Sequence, residues 1–214
     1  MFWTQVFLLA AAAVFGFFAP RIAGRIIANY PGTWADVVMG NGKCKMGNGR
    51  TMAVAVASMI FTSIILMFAG ALSVLMAIAL CLFTLAVIID LKVRLIPDIL
   101  TFPLILIGAA AAQGLPWIAG GLTEALIAAA VGYILASVMG MVYYKKSDVA
   151  IGGGDIKLIA AGGMFLGATG LPVALITAAL AAYALKHKYP DKFVPFAPFF
   201  AFGALAYLTY WILF

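Results

Sequence analysis

From Thr51 to Ile89 the chain runs without a single charged side chain. A run of that kind cannot form a water-facing surface, and one bilayer-crossing helix needs only about 20 apolar residues. The stretch is therefore too long for one span, and Gly70 near its middle points to a hairpin of two. The remainder is of the same kind. Hydrophobic residues make up 66% and charged residues 9% of the sequence, whereas a soluble domain carries about 25% charged residues. The length must be divided into membrane spans rather than soluble domains, with room for about eight.

The apolar segments predict an all-α, polytopic membrane helix bundle. A first span covers about Trp3 to Pro20, and a polar segment runs from Arg21 to Arg50. Spans two and three share Thr51 to Ile89. The fourth begins at Asp98 and ends near Gly114 to Ala119, and the fifth covers about Leu122 to Tyr144. The sixth starts at Asp155 and ends near Gly167 to Gly170. The seventh runs from Leu171 to Leu185 and the eighth from Pro195 to Phe214. The first segment has no basic residues before it and is followed by Arg21 and Arg25, so it reads as a retained span and not as a signal peptide.

Charge tests this division. All 13 Lys and Arg residues fall between spans one and two, three and four, five and six, or seven and eight, or at the ends of those spans. The opposite connections, near Gly70, Leu115 to Gly121 and Gly167 to Gly170, hold none. Eight spans with both termini on the non-cytoplasmic side satisfy the positive-inside rule at every loop, as expected of a protein of the cytoplasmic (inner) membrane. The net charge of +6 is this topological bias, and no nucleic-acid partner is expected. Cys44, in a polar loop, and Cys81, in an apolar run, are too few for a disulfide framework.

The same division places two acids at one depth. Asp90 ends span three on the cytoplasmic face, and Asp155 opens span six on that face. Carboxylates at a bilayer edge are expensive and mark candidate functional sites. A pair able to approach can share a proton and activate water, which is the chemistry of aspartic proteolysis. Asp90 follows Val87, Ile88 and Ile89, so partial desolvation is expected. Asp155 follows Gly152, Gly153 and Gly154, which permit close approach of a peptide strand. Read alone, that motif fits equally a flexible loop ending in a helix N-cap. Asp98, after Pro97, reads as a helix start. Lys157 lies two positions from Asp155, on a different helical face, and is expected to reach the interface or a lipid phosphate. His187, between Lys186 and Lys188, reads as an exposed residue. The repeated Met39-Gly40-Asn41-Gly42-Lys43 and Met46-Gly47-Asn48-Gly49-Arg50 read as a mobile polar loop touching lipid headgroups or substrate. Gly132, Gly140, Gly162 and Gly163 suit close helix packing.

These motifs resemble those of the type IV prepilin and preflagellin peptidases, intramembrane aspartic proteases with a Gly-x-Gly-Asp signature. The family's Asp-to-Pro-Asp segment is matched by Asp90 through Asp98. Its Gly-x-Gly-Asp-x-Lys is matched by Gly152, Gly154, Asp155 and Lys157, and its Pro-Phe-x-Pro by Pro195, Phe196, Ala197 and Pro198. The resemblance covers roughly Thr51 to Phe214 as a protease core. Residues 1–50 then supply the first span and a short basic loop. It implies Asp90 and Asp155 as the catalytic pair, with Gly152, Gly153, Gly154, Lys157, Asp98, Pro195, Phe196 and Pro198 binding substrate or supporting the site. It implies a pilin-like precursor as substrate, cut after a Gly on the cytoplasmic side of its hydrophobic segment. Many bacterial members carry two Cys-x-x-Cys pairs that bind zinc, and they methylate the product with S-adenosylmethionine. Here Cys44 alone stands in that region, and one cysteine cannot form a four-ligand zinc site. Zinc is not expected, and the use of S-adenosylmethionine is put in doubt. Proteolysis by two carboxylates requires neither.

A proton-coupled transporter or channel is the alternative, since membrane acids and glycine-broken helices also mark ion pathways. No acidic residue lies in the middle of a span, so no proton relay crosses the bilayer in this arrangement. A non-catalytic membrane subunit of a secretion machine is a third reading.

Overall fold

The computed structural model describes residues 15, 18–27, 73–114, 119–147, 151–185 and 194–213. The regular structure among them is helical: a stretch over 18–27, then α1 (Ser73–Val93), α2 (Asp98–Gly114), α3 (Leu122–Ser147), α4 (Gly153–Leu185) and α5 (Ala197–Leu213). Val74–Val93, Leu122–Val142 and Gly153–Ala184 are long and apolar enough to cross a membrane, and Asp98–Gly114 and Ala197–Leu208 are shorter apolar helices. The first expected span apart from residues 15 and 18–20, the second expected span, the Gly70 hairpin, Cys44, the glycine–asparagine repeat and His187 lie outside the described residues.

The chain divides into two compact units, Met1–Arg94 and Leu95–Phe214. In the first, α1 carries no charge before Asp90 and Lys92 in its last turn, and its Thr84 hydroxyl donates to the Leu80 carbonyl at 2.7 Å. Such back-bonding satisfies a hydroxyl where water is absent. The helix ends at Val93 because Arg94 adopts a left-handed conformation (φ 56°) and its N–H donates to the Asp90 carbonyl at 2.8 Å. That is the bond of an αL cap, made here without glycine.

In the second unit α4 is the central element, with α2, α3 and α5 each packed on it. Lipid tails are as apolar as leucine, so helices in a bilayer associate through close van der Waals fit, which small residues permit. The expected close packing is found at Gly132, Gly162 and Gly163, whereas a Cβ at Gly140 would meet only ordinary contacts, the nearest 3.7 Å away at Ile151. A Cβ at Gly163 would lie 2.5 Å from the Ala129 nitrogen and 2.6 Å from its Cα, so α3 and α4 touch backbone to backbone. Gly203 brings α5 onto α4, where a Cβ would lie 2.7 Å from the Ala174 carbonyl oxygen. Ala112, Ala119, Ala125, Ala129, Ala160 and Met164 form a buried cluster. Thr169 and Tyr207 join α4 to α5 by a 2.6 Å hydrogen bond between hydroxyls.

The expected sixth and seventh spans are the two limbs of α4. They meet at Gly167, whose φ of 65° and ψ of −168° are not helical and belong to a region open essentially to glycine alone. The limbs are about 21 Å and about 27 Å long at 1.5 Å per residue. Ile151 and Ile159, before the break, share the wall of one apolar cavity of about 710 Å³ with Leu175, Ala178 and Ala182 after it. An unbroken helix would carry Ala182 far beyond Ile151, so the second limb turns back alongside the first. The sixth helix also begins two residues earlier than expected, at Gly153 instead of Asp155. The fourth, fifth and eighth expected spans correspond to α2, α3 and α5.

Gly163→Ala should lower the unfolding free energy in detergent micelles by about 1–3 kcal/mol, since the added methyl must push the α3 and α4 backbones apart. Gly24→Ala, where a Cβ would meet nothing within 4 Å, should be neutral or stabilising by up to about 1 kcal/mol. Thermal unfolding of the two variants checks both.

Candidate active site

The glycine run is a helix start, and Asp155 belongs to it. Gly152 precedes α4, and its carbonyl accepts the first helical bond from the Ile156 N–H at 3.2 Å. Gly152 is thus the N-cap and Asp155 the third helical residue. The Asp155 carboxylate reaches back to the backbone of Gly152 and accepts a hydrogen bond there. This is the side-chain half of a capping box. An anion in the first turn also lies favourably in the helix dipole. The carboxylate is therefore held in one orientation by its own helix end. A Cβ at Gly152 would come within 3.2 Å of the Asp155 Oδ2 atom.

The expectation of a loop fits only Gly152, because Gly153 and Gly154 are helical. The two have different surroundings. A Cβ at Gly153 would meet nothing within 4 Å, whereas one at Gly154 would lie 2.6 Å from the Ile96 carbonyl oxygen and 2.9 Å from its Cβ. Ile96 and Pro97 are buried and lead directly into α2. The start of α4 is thus pressed against the backbone that enters α2.

Asp98 is the first residue of α2, as expected from Pro97-Asp98. It has a second role that the sequence pattern does not reveal. The Lys157 ammonium donates to both Asp98 carboxylate oxygens, at 2.6 Å each. The same ammonium lies 5.5 Å from the Phe102 ring centroid, one helical turn beyond Asp98. The expectation that Lys157 reaches the interface or a lipid phosphate is corrected here. Its ammonium is tied to another helix, to the carboxylate of the first residue of α2. The signal was present: Asp98 and Lys157 carry opposite charges and both fall at cytoplasmic ends of the expected spans.

Pro195, Phe196 and Pro198 form the start of α5. Pro195 is buried, and the Phe200 N–H donates to the Phe196 carbonyl at 3.0 Å, which makes Phe196 the residue before the helix. The Phe196 and Phe200 rings stack with centroids 5.4 Å apart. Phe196 lines the same cavity as Ile151. Phe200 lies against Gly162 of α4. The last motif is therefore brought to the end of α4 that carries Asp155.

Asp90 stands in the Met1–Arg94 unit, in the last turn of α1. It is 3% exposed, and Val87, Ile88 and Ile89 before it are equally buried. The expected desolvation is thus observed. Among the described residues no group of three or more His, Cys, Asp or Glu side chains could hold a metal ion.

Comparison with known proteins bears on this arrangement. The family model for the type IV leader peptidases matches residues 76–186, more than half of the chain. The chain belongs to the type IV leader peptidase family. The matched stretch contains Asp90, Asp98, the glycine run, Asp155 and Lys157. Proteins named prepilin leader peptidase/N-methyltransferase are among its relatives. One from Burkholderia pseudomallei is 32% identical over 131 residues, which is 57% of this chain and 41% of that protein. One from Escherichia coli K12 is 33% identical over 136 residues, covering 58% of this chain and 59% of the relative. One from Xanthomonas campestris pv. campestris is 36% identical over 121 residues, covering 53% and 42%. The chain thus spans about two-fifths to three-fifths of the length of these relatives. No solved structure matches it.

Gly154→Ala should shift the start of α4 away from Ile96 and destabilise the protein by about 1–3 kcal/mol. Gly153→Ala, one position earlier, should be tolerated. The difference in melting temperature between these neighbouring variants measures how tightly the Asp155 turn is seated.

Proposed function

We propose that this chain is an intramembrane aspartic endopeptidase that removes the leader of a pilin-like precursor at the cytoplasmic face of the inner membrane. Membership of the leader peptidase family through a stretch that includes both Asp90 and Asp155 carries this reading. It is supported by the orientation of Asp155 in a capped first helical turn and by the burial of Asp90. The names of the relatives supply the substrate class.

In this reading Asp90 and Asp155 are the catalytic pair. The chemistry requires the two carboxyls to come together and share one proton, since both cannot ionise cheaply at close range. The ionised member takes a proton from water, which attacks the scissile carbonyl. The protonated member donates its proton to the carbonyl oxygen; the member that took the proton from water then passes it to the leaving amine as the C–N bond breaks, and the first carboxylate regains a proton from a hydroxyl of the gem-diol. A peptide bond inside a helix is shielded by its own hydrogen bonds, so the precursor must unwind where it is cut. A glycine before the cut eases that unwinding. The exposed backbone at Gly152 and Gly153, next to Asp155, is suited to receive an extended strand. Proteolysis by this route uses no cofactor.

The arrangement assigned to the chain is eight spans with both termini outside. In a variant without Cys44 and Cys81, a single cysteine at Gly121 should react with a membrane-impermeant maleimide added to intact cells. One at Ser147 should react only after permeabilisation. Labelling of Ser147→Cys in intact cells would overturn this topology.

The activity is tested by co-expression with a pilin-like precursor and mass measurement of the product. The leader should be removed, and the product mass reports in the same spectrum whether a methyl group has been added. Asp90→Asn and Asp155→Asn should each reduce cleavage by at least about 10³-fold. Cleavage retained by both variants would refute the assignment.

A further inference from the structure

The geometry points to Lys157 and Asp98 as positioning residues that lock the Asp155 turn onto the start of α2. This rests on the proposed role of Asp155 and adds a requirement to it.

Three contacts join the same two helix starts. Gly154 lies against the Ile96 backbone, Lys157 bonds both oxygens of Asp98, and the Lys157 ammonium faces the Phe102 ring. Positions 154 and 157 are three apart, so they lie on one face of α4. On the facing side, Ile96, Asp98 and Phe102 run from the entry into the first turns of α2. Asp155 falls between the two α4 contacts in sequence and about 100° around the helix from Gly154. A turn pinned at 154 and again at 157 cannot rotate about its axis, so the direction of the Asp155 side chain is fixed as well.

The alternative is an ordinary surface ion pair. The Lys157 and Asp98 side chains are 29% and 48% exposed, and pairs of that kind contribute little to global stability. Three features argue for a positional role. Both Asp98 oxygens are engaged at 2.6 Å. The partners are 59 residues apart in sequence, so the bond joins helices and does not decorate one. It also sits two residues from a carboxylate whose proposed chemistry is sensitive to displacement, where a misplacement of about 1 Å can cost about 10²-fold in rate.

The test uses the full chain in detergent micelles, with a purified pilin-like precursor as substrate. Lys157→Met keeps the length of the side chain and removes its charge, and Asp98→Asn keeps the shape and removes the anion. Each should lower kcat by about 10- to 100-fold and leave KM within about twofold. The double variant should be no slower than the worse single, because both changes break one bond. Lys157→Arg, whose fork also fits two carboxylate oxygens, should stay close to the parent. Hydrogen exchange over residues 152–158 should speed up in both single variants and no further in the double. Unchanged kcat and exchange in the singles would overturn the proposal. So would multiplicative losses in the double, or a rise in KM at constant kcat, which would make Lys157 a substrate contact. If the parent protein cleaves no precursor, the proposed function fails by itself. Exchange then decides the clasp alone, and its acceleration in the singles without further gain in the double still supports it.

Discussion

A helix in hydrocarbon gains nothing by hiding apolar side chains from lipid, so the Leu95–Phe214 unit is held by how closely its backbones approach α4. Gly163 and Gly203 set that approach on two sides, toward α3 and α5, and Gly154 sets it at the entry to α2. The polar groups follow from the same solvent. Thr84, Ser137 and Thr177 each turn a hydroxyl back onto a carbonyl four residues earlier. Among the described residues no buried side-chain nitrogen or oxygen is left without a partner. Asp155 and Lys157 stand at a helix end, where they find their partners on neighbouring backbone and on α2.

That placement matters for chemistry. An acid in mid-span would be held neutral by its surroundings, and one in open water would behave like any surface carboxylate. Asp155 stands between these limits, in the first turn of a helix whose free N–H groups favour its anion. A carboxylate placed so is sheltered by burial and held in one orientation by its own helix start. The clasp of Lys157 on Asp98 complements this, since it fixes the helix end without adding a cation beside Asp155 itself.

Much of this was legible in the sequence. Helix extents followed from charge-free runs, and the starts of α2, α3 and α5 fell within about two residues of the expected positions because proline, glycine and acidic residues mark them. The burial of Asp90 followed from Val87, Ile88 and Ile89. The partnership of Lys157 did not, because spacing along one helix says what a side chain cannot face but not which other helix lies opposite. The helical state of Gly153 and Gly154 was hidden for a related reason. Glycine is a poor helix former, and only the Ile96 backbone, distant in sequence, explains why nothing larger stands at position 154. The back-turn within α4 was anticipated near Gly167 to Gly170 from the absence of charge. Its reduction to one residue depends on torsion angles that composition does not encode.

That single residue has a genetic corollary. The conformation at Gly167 excludes a Cβ, and a Cβ there would also collide with the Ala119 carbonyl oxygen. Every one-base change in a glycine codon that alters the product either installs a Cβ or stops translation. The hinge between the two limbs of α4 therefore admits no coding change without strain, whatever residue replaces the glycine.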